Sequence, residues 1–227
     1  MERNKRLIQH VFEEELLRKD AELEILRNQI TPHFIYNSLQ LIKAEAVMSG
    51  NREIGRSVNA LAGLLRYSMD SRTDTVHLAE ELDYIDHFLE IYKKRYVDRF
   101  TYEIISEEQL GEYLIPKMIF QPLVENSIRH GFAEVRHGGR IKIAVDYREG
   151  FLLVRIEDNG CGVSTERLLE LRKGIENPSE HAGREIGLLN VHRRIRLQCG
   201  EESGIEEIGN ITGGGFFQQI RIKPISV

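Results

Sequence analysis

Little in this sequence supports a disulfide framework, a membrane span or a basic binding face. Its two cysteines, Cys161 and Cys199, are too few to staple a fold. No apolar run approaches the ~20 residues of a membrane helix, and stretches such as 151–154 fall far short. The opening residues MERNKRLIQH lack the apolar centre of a signal peptide. Basic charge is not in excess, since 31 Lys and Arg face 36 Asp and Glu for a net charge of −5. That balance gives no support to direct nucleic acid binding through phosphate neutralisation. These absences point to a cytoplasmic protein, or to the cytoplasmic part of one.

Glycine is scarce where it matters most. Only 3 of the 19 glycines lie in residues 1–98, and 16 lie in 99–227. Glycine weakens helices and serves turns and close backbone approaches. The first part is therefore expected to be helical, and the second rich in strands and loops. A length of 227 residues accommodates two domains, placed at 1–98 and 99–227.

Residues 5–49 read as one long helix. Phe12, Leu16, Leu23, Leu26 and Ile30 keep alternating spacings of three and four, with Lys19 in one slot, which is a heptad seam. Such a stripe needs a partner, either another helix of this chain or a second copy. A parallel dimer is favoured because the early seam has no second helix of matching length. Pro32 interrupts the helix by lacking a backbone donor, and the stripe changes register there to Ile35, Leu39, Ile42 and Ala46. His33 thus lies where the buried face rotates. Further helices are expected at 52–70 and 79–98, the latter with Leu82, Ile85 and Leu89 as its apolar stripe. Beyond them the pattern predicts strands at 100–105, 141–147, 152–156, 204–208 and 216–222, and helices at 117–130, 164–174 and 186–198. Glu149-Gly150 marks a hairpin. The second part is thus an antiparallel or mixed sheet with helices on one face.

Four segments can carry chemistry, and each is ordinary alone. Glu125-Asn126 sits on a helix that also places Asn126 and His130 on one face, with Glu125 beside Arg129. An asparagine oxygen can ligate Mg²⁺, although such a pair on its own reads as a solvated helix face. Asp158-Asn159-Gly160-Cys161-Gly162 follows a strand, where a carboxylate can accept from an exocyclic amine. Gly183 to Val191 is a glycine-containing loop feeding a helix N-terminus, suited to phosphate. Gly213-Gly214-Gly215 precedes the last strand and reads most simply as a turn.

Order and spacing say more. The run Gln29-Ile30-Thr31-Pro32-His33-Phe34-Ile35-Tyr36-Asn37-Ser38-Leu39, the 81–99 helix, the 116–131 segment, DNGCG and IGLLNV together resemble the LytS/YesM-like sensor histidine kinases. The resemblance extends from about Leu26 to the C-terminus. It implies an α+β chain of two domains: a helical dimerisation and phosphoacceptor domain, then an α/β-sandwich ATP-binding domain of the GHKL (Bergerat) type, like those of gyrase and the heat-shock chaperone ATPases. Carried over by position, it implies His33 as phosphoacceptor, Asn126 as ligand of a Mg²⁺ on the ATP phosphates, and Glu125 as the group that orients or polarises around that metal. His130 then lies near the phosphates. Asp158 accepts from the adenine amino group, and Gly160 and Gly162 shape its loop. Gly187 is the hinge of a phosphate-contacting lid, and Gly213 and Gly215 line the adenine side. Two departures stand out. Glu185 occupies the place of a lid glycine, and Phe216 replaces the threonine that follows the family's late glycine.

The implied activity is ATP-dependent autophosphorylation on His33, then transfer to an aspartate of a response-regulator receiver domain. A membrane-spanning sensor region is expected upstream of this chain in a longer protein. The alternative is a non-catalytic coiled-coil signalling scaffold with a nucleotide-binding domain, which Glu185 and Phe216 would suit.

Overall fold

The computed structural model describes residues 32–69, 73–96, 99–177 and 187–225. The chain divides into two compact units, 1–69 and 70–227.

The described part of the first unit is a helical hairpin, α1 (Pro32–Met48) and α2 (Arg52–Met69). The expected helix over residues 5–31, with its heptad seam, lies outside the described residues. Ser49-Gly50-Asn51 ends α1 as its composition predicts. Gly50 adopts φ 73°, its N–H donates to the Val47 carbonyl at 3.0 Å, and the Asn51 N–H reaches back to the Ala46 carbonyl at 2.8 Å. This pair of bonds satisfies the last carbonyls of the helix. Asn51 then opens α2 by accepting from the Ile54 N–H at 3.3 Å. The helices meet through small residues: Ala46, Gly55, Ala60 and Ala62 are the buried ones. Much of the hairpin's apolar surface remains open, with Ile42, Ile54 and Leu61 all more than 40% exposed.

The second unit contains a five-stranded sheet ordered β2-β4-β5-β7-β6, made of β2 (Phe100–Ile105), β4 (Gly139–Arg148), β5 (Phe151–Asp158), β6 (Gly204–Asn210) and β7 (Phe216–Ile222). β2 runs parallel to β4 and every other pairing is antiparallel. The sheet is therefore mixed. β4 and β5 are joined by Glu149 and Gly150 at φ 53° and 86°, as a two-residue hairpin requires of a right-twisted pair. One face is buried: Ile141, Ile143, Val154, Ile156, Ile220 and Ile222 are all at most 1% exposed. Helices α3 (Leu78–Arg95), α4 (Gln121–Asn126), α5 (Thr165–Glu176) and α6 (Gly187–Cys199) complete a two-layer sandwich. The other face is half-exposed, and there Arg155 lies 4.0 Å over the Phe217 ring and Arg221 3.8 Å over Phe151.

Three features differ from the sequence expectation. First, α3 belongs to the second unit, so the compact units part after Met69 rather than after Asp98. Its buried residues are Leu78, Glu81, Tyr84, Ile85, Phe88 and Leu89, a face that includes a carboxylate. Second, two three-residue strands, β1 (Thr75–His77) and β3 (Leu114–Pro116), pair as a separate antiparallel sheet. Third, the helix expected from 117 begins at Gln121. The N–H groups of Met118, Ile119 and Phe120 donate to the Glu81 carboxylate at 2.8, 2.8 and 3.1 Å, and Met118 sits at φ 56°. With these donors taken by a side chain, the backbone there makes a turn instead of a first helical turn.

His192 on α6 is 4% exposed, and its Nδ1 accepts from the Ile205 N–H of β6 at 3.0 Å. Burial, reinforced by the charge of Arg196, lowers its pKa from 6.5 to about 4. Between those values the unfolded chain takes up a proton that the folded chain does not. The stabilisation from a neutral His192 is thus complete above pH 6.5 and is lost as pH falls towards 4. Urea midpoints measured at pH 7 and pH 5 should fall with pH, and His192→Gln should flatten that slope. An equal slope in both proteins would exclude His192 as its source.

Candidate active site

A cleft of about 500 Å³ opens on the second unit, within the size range of small-ligand sites. One wall is α4 together with the π-helical turn Ser127–Gly131 that follows it. In that turn the Phe132 N–H bonds to the Ser127 carbonyl at 3.0 Å, a five-residue step that widens the helix. Ser127 is buried, Glu125 and Asn126 are half-buried, and His130 is exposed. All four line the cleft, with Arg129 beside them. Glu125 and Arg129 stand 3.6 Å apart as an ion pair.

Across from this wall stands Gly187 at the start of α6. A Cβ there would come within 3.9 Å of the Asn126 Nδ2. Two motifs far apart in the chain therefore face each other. The segment 178–186, with Gly183, Arg184 and Glu185, lies outside the described residues.

Asp158 ends β5 and is 3% exposed. Burial pushes its carboxyl above the usual range, opposed by hydrogen bonds from the Ser127 hydroxyl and the N–H groups of Gly160 and Phe216. The Gly160 N–H lies 2.9 Å from Oδ1. A carboxylate has about four acceptor positions, so three protein donors leave one for a ligand. Close packing holds this arrangement. A Cβ on Gly160 would collide with the Gly131 carbonyl, and a Cβ on Gly215 with the Asp158 carbonyl. Gly215 thus backs Asp158. Gly213, at φ 96°, has nothing within 4 Å of its Cβ position and serves the turn. Neither glycine lines the cleft, whereas Phe216 does.

Gly162 adopts φ 69°, and Asn210 pins the loop beyond it. Asn210 Oδ1 accepts from the Val163 N–H at 2.9 Å and its Nδ2 donates to the Val163 carbonyl at 2.8 Å. Ser164 then caps α5 by accepting from the Arg167 N–H at 3.2 Å. Ser127, Asn210, Arg167 and Gln218 are site residues that the sequence reading missed. Their only sequence signal is polarity beside a motif or within a strand.

The donor set suits a metal-bound triphosphate. Mg²⁺ keeps several waters and takes one or two protein oxygens besides phosphate, which the Asn126 amide oxygen and the Glu125 carboxylate can supply. No group of three or more His, Cys, Asp or Glu that could hold a metal by itself is gathered among the described residues. Arg129, His130 and Arg167 around the cleft offer donors to phosphate oxygens.

The sequence matches two family models in tandem. One, described as histidine kinase, covers residues 21–100. The other, described as histidine kinase-, DNA gyrase B-, and HSP90-like ATPase, covers 112–223. The chain belongs to the histidine kinase family. It is 33% identical over 205 residues to the sensor histidine kinase YesM of Bacillus subtilis, matching 90% of this chain and 34% of that protein. It is 32% identical over 202 residues to the sensor protein kinase HptS of Staphylococcus aureus, matching 89% of this chain and 38% of that protein. The solved Acinetobacter baumannii histidine kinase AdeS aligns with 85% of this chain and 95% of its own at 16% identity and a TM-score of 0.46. The chain spans about a third of the length of the curated relatives it matches. The cleft residues Glu125 to Gln218 all fall within the ATPase match, and His33 falls within the histidine kinase match.

Proposed function

We propose that this chain is the catalytic core of a two-component sensor kinase. It binds ATP with Mg²⁺ in the cleft, moves the γ-phosphoryl group to His33, and passes it to an aspartate of a response-regulator receiver domain. One observation carries the nucleotide reading: a buried carboxylate, Asp158, lies behind a cleft whose facing walls bear Glu125-Asn126 and Gly187. In this reading Asp158 takes the adenine amino group with its remaining acceptor position. Asn126 and Glu125 hold the metal, and Arg129, His130 and Arg167 orient the phosphates. Mg²⁺ held there would supply charge stabilisation to the phosphates.

His33 is the second residue of α1. A neutral imidazole nitrogen is nucleophilic near neutral pH. Its lone pair forms the P–N bond while the bond from the γ-phosphorus to the ADP oxygen breaks. ADP leaves with that electron pair, and the ring loses one proton. The aspartate of the receiver then takes the phosphoryl group and restores the imidazole.

The hairpin supports a homodimer. Phe34, Leu41, Ile42, Val47, Ile54 and Leu61 stay open on the described hairpin, and a second copy would cover them. No helix among the described residues is long and apolar enough to cross a membrane. We assign the chain to the cytoplasmic portion of a longer, membrane-bound sensor, in line with the share of its relatives that it spans.

Labelling from γ-labelled ATP tests the metal assignment. Asn126→Asp places a negative charge beside the phosphates and disturbs their positioning. The initial labelling rate should fall by at least about 100-fold, with the folded state intact by circular dichroism. An unchanged rate would remove Asn126 from the metal site.

A further inference from the structure

Gln218, on β7, is 2% exposed and lines the cleft. Its Nε2 donates to the Leu123 carbonyl of α4 at 3.3 Å. Its Oε1 is buried and has no hydrogen-bond partner among the described residues. The Leu123 carbonyl fixes this orientation, because exchanging the amide nitrogen and oxygen would set two acceptors against each other. A buried acceptor without a partner destabilises the fold. An aliphatic side chain would fill the same place without that cost, as Ile220 and Ile222 do further along the same face of β7. Packing alone does not explain a glutamine here.

Its position relative to Asp158 does. Gln218 stands opposite Ile156, and Asp158 opposite Phe216, in the β5–β7 ladder. Asp158 and Gln218 are thus diagonal neighbours on one face of the sheet, about 7 Å apart by sheet geometry. Each offers an oxygen towards a ligand: one Gln218 amide hydrogen is taken by the Leu123 carbonyl, its Oε1 has no partner among the described residues, and Asp158 is a carboxylate. Two neighbouring acceptors suit a group with two N–H bonds, and they oppose a carbonyl.

We propose that Gln218 is a specificity-determining residue of the nucleotide site. Its Oε1 accepts from the 6-amino group of a purine, directly or through one bridging water, while Asp158 accepts the other hydrogen. The pair selects 6-amino over 6-oxo purines. This inference rests on the ATP-binding reading above.

The test is calorimetric titration of the full chain and of Gln218→Leu and Gln218→Met. The ligands are ATP, inosine triphosphate (6-oxo) and purine riboside triphosphate (no 6-substituent), each with Mg²⁺, and thermal unfolding is measured without nucleotide. Wild type should prefer ATP to the other two. Both variants should lose about five- to tenfold in ATP affinity, keep their affinity for purine riboside triphosphate, and unfold no earlier than wild type, since an unpartnered acceptor has been removed. Unchanged ATP affinity in the variants, an equal loss for all three nucleotides, or earlier unfolding of both variants would overturn the role of Gln218 while leaving ATP binding in place. A wild type that binds none of the three would overturn the ATP-binding reading and this inference with it.

Discussion

Asp158→Asn should reduce ATP affinity by about 100-fold. The carboxylate holds three protein donors, from Ser127, Gly160 and Phe216, which leaves one acceptor position that the proposed binding mode gives to the base. An amide has a single oxygen, so one –NH₂ face must meet either a protein donor or the purine amino group. Both arrangements set donor against donor in a site only 3% exposed. Replacement also removes the burial of a charge, which offsets part of the loss in the empty protein. The effect should therefore be larger on binding than on stability. Titration of ATP into both proteins measures it, and a loss smaller than about threefold would contradict the placement of the base against Asp158.

Glu81→Ala should destabilise the second unit by about 3–5 kcal/mol, the range for breaking a buried charged network. The Glu81 side chain is fully buried, and its two oxygens accept from three successive backbone N–H groups, those of Met118, Ile119 and Phe120. Alanine leaves these donors without partners, and each buried orphan costs about 1–3 kcal/mol. The turn they form leads directly into α4, which Tyr84 also holds through a 2.6 Å bond from its hydroxyl to Gln121 Oε1. Loosening it should displace Asn126 and Glu125 as well. Urea unfolding at neutral pH measures the loss, which should be smaller for Glu81→Gln because one acceptor remains. A loss below about 1 kcal/mol for alanine would show that the turn holds without Glu81.

These two residues also mark what was legible in the sequence. The placement of Asp158 could be read because it is local: a carboxylate at a strand end followed by glycines, one of which is required by the Gly131 carbonyl. The β4–β5 hairpin was equally local, since Glu149-Gly150 meets the conformational demand by itself. Glu81 could not be read this way. A charge at a buried helix position disguises the apolar stripe: Ile85 and Leu89 of the expected stripe are buried, but Leu82 is half-exposed and Leu78, Glu81 and Phe88 complete the buried face of α3. An apolar stripe also does not say what it packs against, and α3 joined the second unit instead of the helical hairpin. The start of α4 was misplaced for the same long-range reason, because the donors of 118–120 are taken by a residue nearly forty positions earlier. Ser127, Asn210 and Gln218 were missed because their partners come from other elements. The glycines separated into two kinds only in three dimensions. Gly160 and Gly215 are required by close backbone approach, and Gly213 by turn geometry.

The most direct test of phosphoryl transfer is incubation of the chain with γ-labelled ATP and Mg²⁺, followed by acid and alkaline treatment of the labelled protein. Wild type should take up label that acid removes and alkali preserves, as a P–N bond requires. His33→Gln should take up none while binding ATP as wild type does. Label retained at the wild-type level in His33→Gln would contradict His33 as the phosphoacceptor.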